Sequence, residues 1–256
     1  MDNPQAHGPS EPAGRRARLE RLAATIVECR RCPRLVAHRE AVAAAPPRRY
    51  AGQAYWARPL PGFGAPDARL LLIGLAPAAH GGNRTGRIFT GDESGHWLFR
   101  ALWEAGFANQ PTSTHRDDGL RLQDAYVTAA VRCAPPANRP TPAEIANCRP
   151  YLLEELRLLS RVQVVIGLGR IGWRAYLDAR RALGLSVPRP LPAFAHGAVT
   201  RFDDGVTLIA SYHPSQQNTF TGTLTRAMFR RIFRTARRLL EAGRPGPRPG
   251  LDPRTR

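Results

Sequence analysis

The sequence predicts an α/β fold, a three-layer α/β/α sandwich around a central four-stranded, mainly parallel sheet. Three observations carry this reading. Short apolar runs alternate with helical patterns along the whole chain. Three of those runs end directly in polar loops, at Gly74–Asp92, Cys133–Asn138 and His213–Asn218. In a parallel sheet such loops open on one common edge, at the carboxyl ends of the strands.

Taken in order, residues 1–15 are rich in Pro, Gly and polar groups and read as a disordered tail. A helix follows from Arg16 to Cys29, with Leu19, Leu22, Ala23, Ile26 and Val27 on one face. Residues 45–68 read as an ordered loop over the core, because Tyr50, Tyr55 and Trp56 need burial. Leu70–Ile73 is the first buried strand, and it enters a loop containing Gly74, Gly81, Gly82, Gly86 and Gly91. Glycines let backbone amides approach a ligand closely, and Arg84 and Arg87 suit phosphate. A helix from Ser94 stops at Gly106. Asp124–Val131 is the second strand, and Thr141-Pro142-Ala143-Glu144 has the spacing of a capping box opening the next helix. Pro150 is expected to kink or restart that helix before Ser160. Val162–Leu168 is the third strand, with a helix from Gly169 to Ala182. Val206–Ala210 is the fourth, and an amphipathic helix over Leu224–Ala242 closes a single domain of residues 16–242. Residues 243–256 read as a disordered basic tail.

The formal net charge is +18, and the 38 basic residues are all arginine. Arginines recur inside expected folded segments, at Arg30, Arg31, Arg34 and Arg39 and again at Arg226, Arg230, Arg231, Arg234, Arg237 and Arg238. A phosphate-rich partner, nucleic acid, is the physical expectation. No apolar run reaches the roughly 18 residues of a membrane span. The amino-terminal stretch lacks an apolar signal core, so a cytoplasmic, nucleoid-associated protein is expected.

Four cysteines form a split set, Cys29-x2-Cys32 and Cys133-x14-Cys148. Four thiolates suit a [4Fe–4S] cluster or a tetrahedral zinc site, and the residues alone do not separate the two. Buried free thiols or a Cys29–Cys32 redox pair are the alternatives. Other candidates each carry a plain structural reading beside a chemical one. His213 closes a turn or donates to an oxygen that gains charge. Asp92 caps a helix, or orients water, or stabilises a cation. Phe89 is a core residue or a platform for a flat base. Asn138 turns the chain or reads a base edge. No G-x4-G-K-[ST] motif and no dense carboxylate cluster is present, which argues against a phosphate-binding nucleotide hydrolase.

Gly74-Leu75-Ala76-Pro77-Ala78, then His80-Gly81-Gly82-Asn83-Arg84-Thr85-Gly86-Arg87-Ile88-Phe89-Thr90-Gly91-Asp92, then Arg132-Cys133-Ala134-Pro135-Pro136, then His213-Pro214-Ser215, with the four cysteines, follow one another in this order. This set resembles the uracil-DNA glycosylase superfamily, and most closely its type B (fifth-family) branch from bacteria and archaea. The resemblance implies excision of uracil and other deaminated bases from DNA. It implies a [4Fe–4S] cluster on Cys29, Cys32, Cys133 and Cys148, with zinc the less favoured occupant. It assigns catalysis to Asp92 and His213, and substrate binding to Gly74, Ala76, His80, Asn83, Arg84, Arg87 and Phe89. The fourth family carries an acidic residue where this chain has Ala76, and a uracil-reading Asn where this chain has Ala129. Asn138 becomes the candidate for that reading role. Damaged DNA, single- or double-stranded and including a U:G mismatch, is the implied partner of a monomeric enzyme. A target base has to be flipped out of the duplex, and the loop from Gln216 to Thr221 is the candidate wedge. Strand cleavage is not expected, because no Lys is present for Schiff-base chemistry. The competing reading is a catalytically weak DNA-binding iron–sulfur protein of the same fold.

Overall fold

The computed structural model describes residues 11–242. Six strands form one sheet in the order β1-β3-β2-β4-β6-β5. Its centre is four parallel strands: β2 (Leu70–Gly74), β3 (Ala125–Ala129), β4 (Val164–Leu168) and β6 (Thr207–Ser211). Every residue of these four strands is buried, as expected of a sheet covered on both faces. Two short antiparallel edge strands, β1 (Phe63–Gly64) and β5 (Val199–Arg201), were not expected from the sequence. Runs this short do not develop a readable alternation.

Side chains alternate across the sheet. Leu70, Leu72, Val127, Ile166 and Ile209 face one layer, with α4 (Glu93–Glu104) and α8 (Arg226–Ala242). Leu71, Ile73, Tyr126, Val165 and Leu208 face the other, with α6 (Gly169–Ala182) and Leu152 of α5 (Pro142–Leu158). The three-layer expectation holds. The capping box at Thr141 and Glu144 is present in both directions. The helix runs unbroken past Pro150, so the expected restart there does not occur.

The first helix, α1, spans Glu11–Val27 and so begins before the expected Arg16. Residues 11–15, assigned from the sequence to a disordered tail, are helical. The rest of that tail and the whole of the carboxyl-terminal one lie outside the described residues. A second helix, α2 (Pro33–Ala44), follows the first cysteine pair, with Pro33 in its first turn. Among the described residues no helix is long and apolar enough to cross a membrane.

A buried ion pair sits inside the layers. Arg132 and Glu155 are each 1% exposed and meet at 2.6 Å, and Thr128 Oγ1 donates to the same carboxylate oxygen at 2.7 Å. This pair anchors the loop after β3 to α5.

Candidate active site

The carboxyl ends of β2, β3 and β6 open on one edge, and the ladder continues past the strands through Ala130 N to Gly74 O and Val131 N to Leu75 O. The loop after β2 folds back over this edge through one turn of helix, α3 (Gly82–Thr85), to Asp92. Two glycines in it are required by close approach, in each case of one of the protein's own side chains. A Cβ at Gly74 would lie 2.7 Å from the ring of Phe89. A Cβ at Gly81 would lie 1.9 Å from Asp92 Oδ2. The glycines therefore make room for the candidate catalytic and stacking groups, where backbone access to a ligand was the expected role.

Phe89 has a left-handed backbone (φ 53°) and is 7% exposed. For a bulky residue this conformation is strained, and such strain concentrates at functional positions. Its ring stacks on the imidazole of His213, with centroids 5.7 Å apart and an interplanar angle of 28°. The stacked pair joins one ring from the β2 loop to one from the end of β6. Burial lowers the His213 pKa from 6.5 to about 4, so the imidazole is neutral at physiological pH. Beside it is a cavity of about 310 Å³ lined by Leu75, Gly169, Arg170, Phe194, Tyr212 and Asn218, among others.

Asp92 caps α4, its Oδ1 accepting from the Gly95 amide at 2.8 Å. The cap fixes one oxygen, and the other lies against Gly81. Burial raises its pKa above the ordinary carboxylate value, against the lowering effect of the Gly95 and Ser94 amides and of the charges on His96 and Arg84.

Other sequence-derived candidates hold the loop together. Arg87 is 5% exposed, and its three nitrogens contact Thr90, Ser113, the Arg116 carbonyl and both oxygens of Asp118. No donor is left for a phosphate, which corrects that assignment. Arg84 makes one bond from each nitrogen, to the carbonyls of His80 and Gly91 and to Gln53, with Tyr50 beneath its guanidinium at 4.4 Å. These bonds brace the loop and use three of the five N–H donors of its guanidinium. Asn83 is 1% exposed and donates to the Arg39 carbonyl at 3.3 Å. His80 pairs through Nδ1 with the Tyr55 hydroxyl at 2.9 Å and stacks on Tyr50. Asn138 is exposed on a single 3-10 turn (Pro136–Asn138) with a left-handed backbone of φ 55°. Among the described residues no contact joins it to Phe89, Asp92 or His213, so the chain-turning reading is the one the geometry favours. Asn218 is the residue the sequence reading missed: it lines the cavity, and its Nδ2 donates to the His213 carbonyl at 2.8 Å. The available signal was its spacing from Ser215, whose hydroxyl caps the short helix α7 (Gln216–Phe220) by accepting from the Asn218 amide.

Cys32, Cys133 and Cys148 share a buried nest with Leu35 and Val131, and Ala76 packs against it. The nest therefore adjoins the first turn of the β2 loop. Cys29 is half-buried at the end of α1. Arg39, 2% exposed, donates from Nη1 to Cys133 Sγ at 3.1 Å, while its Nε has no partner. No group of three or more His, Cys, Asp or Glu among the described residues has the close spacing that a single metal ion needs.

The family described as the Uracil DNA glycosylase superfamily matches residues 61–237. The chain belongs to that superfamily. It is 50% identical over 228 residues to a Type-5 uracil-DNA glycosylase of Mycobacterium tuberculosis, covering 89% of this chain and 84% of the relative. A Type-5 uracil-DNA glycosylase of Mycobacterium leprae is 51% identical over 222 residues, 86% of this chain and 95% of the relative. Another from Thermus thermophilus is 50% identical over 220 residues, 86% and 97% respectively. The family match spans the β2 loop, the turn after β3 and the end of β6.

Proposed function

We propose that this chain is a monofunctional DNA glycosylase of the fifth, type B branch, hydrolysing the N-glycosidic bond of uracil and other deaminated bases. The observation that carries the reading is the Phe89–His213 ring pair, which joins the end of β6 to the β2 loop that also carries Asp92. Hydrolysis breaks the bond from C1′ to the base nitrogen, the electron pair leaves with the base, and water oxygen adds to C1′. The neutral His213 imidazole donates to the base oxygen as negative charge grows there. A preorganised donor of this kind contributes about 3 kcal/mol. The Asp92 carboxylate stabilises the electron-deficient sugar and orients the attacking water.

The base has to leave the duplex first. On the candidate wedge loop, Phe220 is 78% exposed, the most exposed large apolar side chain among the described residues, and it would fill the gap left in the stack. A broad base range is supported by the groups missing from the pocket. Ala129 is buried in the core, Ala76 faces the cysteine nest, and Asn138 stands outside. No carboxamide at the Ala129 position reads a uracil edge. The working form is a monomer acting on U:G duplex or single-stranded DNA in the cytoplasm, at the nucleoid.

The all-thiol donor set suits a [4Fe–4S] cluster, with zinc the less favoured occupant. Three of the thiols line an apolar nest with the fourth, Cys29, half-buried at the end of α1, and the buried Arg39 guanidinium would offset the negative charge of a four-thiolate cluster. Cys29, Cys32, Cys133 and Cys148 would hold it. When bound it would supply a covalent staple between the end of α1 and the loop after β3, taking no part in base release.

The test is base release from U:G duplex, read as abasic sites cleaved by alkali. Uracil release without spontaneous incision supports the reading. Tight DNA binding with no release of uracil, hypoxanthine or xanthine would leave only the non-catalytic alternative.

A further inference from the structure

Helix α4 starts at Asp92, and α8 follows the wedge loop, so both helices descend from the catalytic edge along the same face of the sheet. Between them runs a groove of about 350 Å³ lined by Trp97, Arg100, Glu104, Phe229 and two arginines of α8, Arg226 and Arg230. Trp97 lies five residues beyond Asp92, about 7.5 Å down the helix axis. The Arg226 guanidinium sits over its indole ring at 4.7 Å, and Phe229 forms the floor 6.3 Å from the same ring. Arg226, Arg230 and Arg234 are all exposed and occupy successive turns, about 6 Å apart along the axis.

The groove is not electrically neutral. Glu104 is its one carboxylate, and it is shared by Arg100 at 3.3 Å and Arg230 at 3.7 Å. Arg226 and Arg234 have no carboxylate partner among the described residues. This arrangement differs from that of Arg84 and Arg87, whose nitrogens are committed to the loop. A row of exposed guanidinia beside a rigid indole, starting within two helical turns of Asp92, presents regularly spaced cations to a regularly spaced anion. One DNA strand offers a phosphate for each step of about 3.4 Å along its axis.

We propose that the α4–α8 groove is a second DNA-binding surface, gripping the phosphate backbone of the duplex on one side of the flipped nucleotide through Arg226, Arg230 and Arg234. It rests on the reading of the chain as a DNA enzyme and adds where the flanking duplex runs. It positions DNA and touches no reacting atom.

The experiment is binding to a fluorescent 30-base-pair duplex with a stable abasic-site analogue at its centre, titrated with NaCl. The Arg226→Gln/Arg230→Gln/Arg234→Gln variant is expected to flatten the slope of log K against log salt by roughly 2 to 3, about 0.9 for each phosphate left without its arginine. Across a threefold rise in salt, the wild type should then lose about 10- to 30-fold more affinity than the variant. Cutting the duplex short on one side of the lesion should abolish this difference, and cutting it on the other should preserve it. Arg226→Glu is the second variant, expected to weaken binding at low salt more than Gln does. Equal slopes would overturn the proposal. So would a difference that persists on both shortened duplexes, because the arginines would then act only as diffuse charge. Displacement of the duplex by single-stranded RNA from the wild type but not from the triple variant would also overturn it, by assigning the groove to RNA. The probe has no base to release. A protein inactive on uracil that still shows the side-specific slope would keep the groove and lose the proposed activity, and an active protein with equal slopes would do the reverse.

Discussion

His213 should make the fold acid-sensitive in a way that one substitution removes. Its folded-state pKa is depressed from 6.5 to about 4 by burial, so the folded protein keeps the imidazole neutral while the unfolded chain accepts a proton. The unfolded state then binds more protons between the two values, and stability rises with pH through that window. Above pH 6.5 both states are neutral and the contribution is nil. At pH 5 the linkage amounts to about 2 kcal/mol of lost stability, and below pH 4 it saturates near 3 kcal/mol. The assay is urea unfolding at pH 7.5, 6.0 and 5.0 for the wild type and for His213→Gln. The other lowered histidines, His80 and His196, remain in both proteins and cancel in the difference. The gap between the two curves should change by about 2 kcal/mol from pH 7.5 to pH 5, with the wild type losing more. Parallel curves would show that His213 titrates near its ordinary value, and the argument for a neutral donor beside Phe89 would fail with them.

Asp92→Asn should lower single-turnover release of uracil by at least about 100-fold, as loss of a preorganised charge at a transition state does, and abasic-site yield reads it. In the wild type that rate should fall as pH drops through the raised pKa of Asp92, and the acid limb should sit above the ordinary carboxylate range. Gly74→Ala drives a methyl group to within 2.7 Å of the Phe89 ring. It should cost about 1–3 kcal/mol in thermal or urea unfolding and slow base release as the ring pair shifts. Glu155→Ala leaves Arg132 buried and unpaired, which should cost about 3–5 kcal/mol in urea unfolding. Phe220→Ala should raise the Kd for U:G duplex while leaving the unfolding midpoint where it was, since the side chain is 78% exposed.

The four central strands were legible because each is an apolar run buried on both faces, and such runs need no partner to be recognised. The helices α4, α5, α6 and α8 were legible through caps and periodicity. The helix after Cys32 was not, because its buried positions, Leu35, Val36 and Arg39, include a charged residue that breaks the apolar stripe. In the site, residue types were readable and their partners were not. His213 was a candidate from its place at a strand end, and Asp92 from its place before a helix and from the superfamily motif. That Gly74 and Gly81 make room for Phe89 and Asp92 depends on how the loop folds back, which spacing does not encode. Asn138 shows the opposite failure: a polar residue in a strand-end loop looks functional, yet its left-handed turn carries it to the surface.

The arginines show most clearly why charge read from a sequence and charge read from a fold lead to different places. A net charge of +18 suggested polyanion binding throughout. Yet Arg39, Arg132 and Arg180 are almost fully buried, and Arg69 and Arg87 are locked to Asp124 and Asp118. Burial alone would raise the Asp118 carboxyl, but hydrogen bonds from Arg87, Thr114 and Leu120 outweigh it and hold the pKa far below the usual range. That ion pair consequently survives to low pH, and the β2 loop should stay braced under conditions that already discharge Asp92. Arginine serves here as a cross-linking residue, since its planar fork reaches carbonyls and carboxylates in several directions at once. What remains for DNA is the fraction that stays exposed, free of a carboxylate partner or, like Arg230, only in a solvent-exposed pair. On the described surface that fraction includes Arg226 and Arg234 of α8, beside the helix that begins at Asp92. DNA affinity should therefore depend on a small subset of the 38 arginines, and substitutions among the buried ones should register as lost stability with the salt dependence of binding left intact.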